Sequence, residues 1–272
     1  MPIGPAALLH AGVVPFRRRN HSRRGEGIVP TLNPNQGPTS GGNQVVITGT
    51  GFTGATSVKF GIKSASFVVD SPTQITAVAP SNSSAVQVVV TTPGGSSAPV
   101  WYYYIPAPHK FSLSNTAGPL SGGTTTLTGA NLYTATSMAF GSNTAVPTVV
   151  NDGTLNVTVP TVTTPQTVGV SVTTVGGTTN GFTYTYVGDP TVTSMDPTAG
   201  PDYGGTASTI TGTNLSDVTD ISYGPDSTSF NIIDDNTIIA YSPGGTGTVT
   251  VTLTSAGGTD SSQSFTYTVT PG

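Results

Sequence analysis

The sequence predicts an all-β chain of three tandem two-sheet sandwiches behind an extended N-terminal arm, and three observations predict it. One motif is spelled three times, opening at Gly37-Pro38-Thr39-Ser40-Gly41-Gly42, Gly118-Pro119-Leu120-Ser121-Gly122-Gly123 and Gly200-Pro201-Asp202-Tyr203-Gly204-Gly205, and a period near eighty residues is the size of a domain. Short runs of Val, Thr, Ile and Tyr are punctuated by 35 glycines and 22 prolines, which interrupt nearly every window long enough for a helix. Period-two alternation, as in Val86-Gln87-Val88-Val89-Val90 and Thr248-Val249-Thr250-Val251-Thr252-Leu253, marks strands buried on one face only.

Each unit then runs through the same elements in order. An apolar alternation follows the opening and ends in Thr-Gly at Gly49, Gly129 and Gly212, with Phe52, Leu132 or Leu215 three residues on. Next come Val58-Lys59-Phe60-Gly61, Met138-Ala139-Phe140-Gly141 and Ile221-Ser222-Tyr223-Gly224. Closing segments Val88 to Gly95, Val170 to Gly177 and Val251 to Gly258 lead into aromatic strands holding Tyr102 and Tyr104, Tyr184 and Tyr186, or Phe265 and Tyr267. About seven short strands per unit suit two antiparallel sheets packed face to face. The expected divisions are an arm at 1–27 and domains at 28–106, 107–187 and 188–272. The proline-bearing joints Ile105-Pro106-Ala107-Pro108 and Val187-Gly188-Asp189-Pro190 imply a semi-rigid rod.

These landmarks resemble the IPT/TIG domain family, whose members are immunoglobulin-like sandwiches, and the resemblance runs through three copies over residues 28–270. Two departures stand out in the third copy. Ser255-Ala256 replaces the family's Thr-Pro in the closing turn, and Gly224-Pro225-Asp226-Ser227 looks like a rebuilt loop. The family implies the fold but no single function, since such domains serve receptors, adhesins, enzyme accessory modules, transcription factors and virion proteins.

Charge is distributed unevenly. The arm carries Arg17, Arg18, Arg19, Arg23 and Arg24 against Glu26, whereas the third domain holds nine aspartates and no Lys or Arg. A basic end and an acidic end point to a partner at the basic end. In the arm, the apolar stretch ending at Phe16 precedes the arginines, the reverse of a secretory signal, and is too short to cross ~30 Å of hydrocarbon. The arm therefore reads as a docking segment for a protein lattice or neighbouring subunits, making the chain a homo-oligomer or part of a large assembly. Five guanidiniums also invite phosphate contacts, but the remaining chain has no basic face or stacking platform, which argues against nucleic acid.

Catalytic constellations are lacking. There is no Cys, the histidines are His10, His21 and His109, and Glu26 is the only Glu. None of these sits on a sandwich where a triad could be held rigid. No cofactor is expected; Asp217, Asp220, Asp226, Asp234 and Asp235 offer oxygen ligands for Ca²⁺ in domain 3, without a calcium-loop motif.

Alternation in Trp101-Tyr102-Tyr103-Tyr104 puts Tyr102 and Tyr104 on one face and Trp101 and Tyr103 on the other; by match to the other repeats the first pair is core or rim, and Trp101 and Tyr103 are solvent-side, where they could stack on sugar, contact a neighbouring subunit or merely support the strand. Tyr133 and Tyr203, in loops, are weaker candidates. The function expected first is a non-enzymatic virion subunit of a bacterial virus, a capsid decoration or tail-associated protein anchored by its arm. The alternatives are a bacterial cell-surface or filament-forming adhesion protein, extracellular without a signal of the usual kind, and a carbohydrate-binding module recognising host-surface glycan.

Overall fold

The computed structural model describes residues 29–269, and within them the chain is entirely strands and turns, with no helix. Three immunoglobulin-like sandwiches follow one another, and every sheet is made of strands from one sandwich. In domain 1 the first sheet has the order Thr31–Asn33, Gln44–Thr48, Gln74–Val78, Ser66–Ser71. The second has the order Gln36–Pro38, Val100–Ile105, Val86–Thr92, Ser57–Phe60, Lys63–Ser64, with Gly95–Ser96 folding back on Val86–Thr92. Domains 2 and 3 repeat both orders, and in each the strand after the opening motif pairs parallel to the final aromatic strand.

Each core is the set of inward residues from the two sheets around three rings packed edge to face. Phe60, Tyr102 and Tyr104 stand 5.1 and 5.0 Å apart, Phe140, Tyr184 and Tyr186 stand 5.6 and 5.0 Å apart, and Tyr223, Phe265 and Tyr267 stand 5.3 and 5.2 Å apart. Edge-to-face packing places the positive ring edge on the negative face, adding to the apolar burial. The rings also explain the opening motif. A methyl group on Gly37 or Gly118 would strike the hydroxyl of Tyr102 or Tyr184. Gly41 takes φ 69°, which favours glycine, and faces the carbonyl of Ala79 and the backbone of Pro80.

One expectation for domain 3 changes. Gly224-Pro225-Asp226-Ser227 is no rebuilt loop: Asp226–Ser227 pairs with Ser222 and Tyr223 as Lys63–Ser64 pairs with Lys59 and Phe60. Gly224 takes φ 63°, close to the 62° of Gly61, so the hairpin is the same and only its side chains differ. The closing turn tolerates Ser255-Ala256 because its need is a hydroxyl. Ser255 Oγ accepts the Gly257 amide at 3.0 Å, as Thr174 Oγ1 accepts Gly176 at 3.1 Å and Thr92 Oγ1 accepts Gly94 at 3.3 Å.

The joints are held from the domain that follows. Asn131 and Asn214, at φ 59° and 56°, donate through Nδ2 to Ala107 O at 3.0 Å and Asp189 O at 2.8 Å. Gly176 and Gly257 approach the backbone of Pro106 and Gly188 so closely that no side chain would fit.

Candidate functional site

The outer face of the second sheet of domain 1 differs from its counterparts in the other two copies. Its central strand, Val100–Ile105, lies between Gln36–Pro38 on one side and Val86–Thr92 on the other. Alternation buries Tyr102 and Tyr104 and leaves Trp101 and Tyr103 51% and 45% exposed. The buried pair is anchored by hydrogen bonds: Tyr102 Oη lies 2.8 Å from Asn43 Nδ2 and 3.0 Å from Asn43 Oδ1, and Tyr104 Oη donates to Pro80 O at 2.6 Å. Burial, with Tyr102 adding to it, pushes the Tyr104 phenol up to about 12, so both hydroxyls stay protonated donors at any physiological pH. Anchored this way, the strand has a fixed outward side.

Register then gathers residues that lie far apart in sequence. Gln87 stands opposite Trp101, Gln36 opposite Tyr103, and Lys59 opposite Val89 one strand further out. Cross-strand partners share a face, so Trp101, Tyr103, Gln36, Gln87, Val89 and Lys59 form one outward patch. The sequence singled out only the two aromatics. Lys59 was visible as the odd member of the aligned Val-Lys-Phe-Gly strands, but Gln36 and Gln87 carry no local signal, because only strand pairing brings them beside the rings.

The other copies supply an internal comparison. The same pairings set Thr183 and Ser264 where domain 1 has Trp101, and Thr185 and Thr266 where it has Tyr103. Gln87 corresponds to Gly169 and Thr250, Gln36 to Ala117 and Ala199, Val89 to Ser171 and Thr252, and Lys59 to Ala139 and Ser222. Every position of the patch is larger in domain 1. In domains 2 and 3 small hydroxyls suffice for the ladder, with Thr167–Thr185 and Thr248–Thr266 hydroxyl contacts of 2.9 Å. On domain 2 the reduced side chains leave a shallow cleft of about 350 Å³ lined by Gly169, Ser171, Gly181 and Phe182 among others.

His109, expected off the sandwiches, instead begins the strand His109–Leu113 and pairs with Ala130 at the edge of domain 2. The remaining sequence candidates scatter. Tyr133 and Tyr203 are 74% and 75% exposed in separate loops; Tyr133 lines a cleft of about 180 Å³ at the first joint with Ile105, Pro106, Asn131, Thr134 and Asp152. Phe16, Arg17, Arg18, Arg19, Arg23 and Arg24 lie outside the described residues. Among the described residues no three His, Cys, Asp or Glu side chains gather as a metal site. Two of the aspartates considered for calcium cap turns instead: Asp234 Oδ1 accepts the Asn236 amide at 2.8 Å, and Asp235 Oδ1 accepts Ser216 Oγ at 2.7 Å. The hydroxyl and amide of Ser216 hold the Asp235 carboxyl below its ordinary value. No described helix is long and apolar enough to cross a membrane.

Comparison with known proteins agrees on the build. No curated protein matches. Solved structures similar to this chain include the plexin A4 extracellular region, 19% identical over 85% of this chain and 22% of that one with a TM-score of 0.43. They also include FdeC, an Escherichia coli adhesin, at 14% identity, 89% and 96% coverage and a TM-score of 0.35. A third is SGBP-B from a Bacteroides ovatus mixed-linkage glucan utilization locus, in complex with a mixed-linkage heptasaccharide, at 16% identity, 89% and 71% coverage and a TM-score of 0.29. The chain thus spans 22% and 34% of the two plexin A4 chains. At such identities and scores these likenesses carry no argument about what this chain does. The family model for the IPT/TIG domain matches residues 28–104, 111–186 and 190–269, and the chain belongs to that family.

Proposed function

We propose that this chain is a non-enzymatic adhesion protein, displayed outside the cell, whose tandem sandwiches present the outer face of domain 1 as the contact surface. The observation that carries this reading is the one-sided enlargement of that face. If Trp101 and Tyr103 served only to support the strand, the equivalent strands of domains 2 and 3 would need the same support, yet they stand with Thr183, Thr185, Ser264 and Thr266. Exposing two large aromatics costs solubility, and such groups on a surface mark contact sites. Low charge, at 7%, and faces rich in Thr and Ser suit a displayed module.

The test replaces domain 1's aromatics with domain 2's residues, Trp101→Thr with Tyr103→Thr. The labelled full chain is measured on Gram-negative envelopes, Gram-positive envelopes and epithelial monolayers. The wild type is expected to bind at least one surface and the double variant to bind it about tenfold more weakly, a loss of about 1.4 kcal/mol. Equal binding, or wild-type binding to none of the surfaces, rejects the reading.

A second reading takes up the charge asymmetry. Arg17, Arg18, Arg19, Arg23 and Arg24, with Phe16, would dock the chain onto a virion lattice or a neighbouring copy, and the domains would project from it. Light scattering after size exclusion decides it: only the full chain, and not one starting at Ile28, should assemble.

A further inference from the structure

We infer that the outer face of domain 1 binds an uncharged, hydroxyl-rich polysaccharide running along the Val100–Ile105 strand, an inference that rests on the contact surface proposed above. The patch repeats. Each ring has an amide across the ladder, Trp101 with Gln87 and Tyr103 with Gln36, on opposite flanks of the strand. The two ring–amide pairs are two residues apart, hence about 7 Å along the strand. A ring face packs on the C–H face of a pyranose, while an amide donates to and accepts from its hydroxyls. A unit that occurs twice along a line suits a ligand that also repeats along a line.

Charge and size narrow the ligand further. The strands of this sheet contain no carboxylate. Their two cations are Lys63, whose Nζ donates to Ser81 O at 2.6 Å, and Lys59, exposed at the far side of the patch. One outlying amine is no cradle for a polyanion. A stable protein interface needs about 20 to 30 residues on each side. This patch has six side chains, bounded by the small residues Ser57 and Thr91 and by the three-residue edge strand Gln36–Pro38. The footprint fits a short stretch of sugar chain held weakly and repeatedly, with avidity from multiple copies.

Trp101 is the only tryptophan, so its fluorescence reports the site directly in the full chain. Titration with hydroxyethyl cellulose, mixed-linkage β-glucan, galactomannan and chitohexaose is expected to shift its emission for at least one, equally at low and high salt. Gln87→Ala and Tyr103→Thr should each weaken that ligand several-fold, and Lys59→Ala by less than twofold; Tyr103→Phe should keep most of the binding. In the adhesion assay, periodate treatment of the target surface should abolish binding and protease treatment should not. Adhesion that requires Trp101 but is lost to protease and resists periodate overturns the polysaccharide while leaving the contact surface intact. Binding that vanishes in high salt overturns the uncharged class, and an emission unmoved by all four saccharides overturns the inference.

Discussion

Tyr104 and Tyr186 occupy the same place in successive domains, yet their hydroxyls fare differently. Tyr104 Oη donates to Pro80 O at 2.6 Å, whereas the buried Tyr186 Oη has no hydrogen-bond partner. A buried polar group without a partner costs what a paired one does not. Tyr104→Phe should therefore cost roughly 1 kcal/mol and Tyr186→Phe should be neutral or stabilising, as denaturant melts of each variant would reveal. Asp260 in domain 3 offers a pH test. Burial raises its carboxyl, but hydrogen bonds from Ser262 and from the Val192 amide, the latter at 2.9 Å, outweigh this and hold it below its ordinary value. A depressed carboxylate stabilises above its unfolded pKa of about 3.9 and loses that contribution as pH falls through the lower folded value. Asp260→Asn should lower the melting temperature at neutral pH, and the gap to wild type should close below about pH 4.

Strand edges and joints are where the elements show their constraints. The Ser66–Ser71, Thr148–Asn151 and Phe230–Asp234 edge strands each carry a bulge at the same point, at Asp70, Val150 and Ile233. A bulge twists an edge away from an incoming strand, so lateral merging of copies through these edges is disfavoured, against the stickiness that their exposed Val150 and Ile233 would otherwise confer. At the second joint Asn214 combines two roles, a left-handed backbone at φ 56° and a bond to Asp189 O. Asn214→Gly loses only the bond. Asn214→Ala also strains the backbone and should cost roughly 1 kcal/mol more, measurable by chemical denaturation.

At the scale of the molecule, three separate cores and six sheets confined to single domains mean that, among the described residues, no strand pairing ties one sandwich to the next. Each domain should fold when expressed alone and melt at nearly the temperature it shows in the full chain. Domain 3, with nine aspartates and no cation, repels itself and should gain melting temperature as salt rises; domain 1, with Lys59, Lys63 and Asp70, should not. A single cooperative transition for the full chain, or a domain 3 indifferent to salt, would contradict this independence.

By itself the sequence determined the family, the triplication and the inward side of the aromatic strand of domain 1. Glycine turns and period-two patterns are local and act wherever they stand, so Tyr102 and Tyr104 were assigned to the core or its rim before any sheet was built. It also marked Trp101 and Tyr103 as outward, by alternation together with the match to the other repeats. Only tertiary structure decided what stands beside them. Gln36 and Gln87 reach Tyr103 and Trp101 from strands 67 and 14 residues upstream in the chain, and pairing register, a long-range property, sets that meeting. The same register aligned three copies position by position and exposed the enlarged face of domain 1. It likewise showed Gly224-Pro225-Asp226-Ser227 to be an ordinary hairpin, because backbone geometry there survives the change of Ile62-Lys63 to Pro225-Asp226.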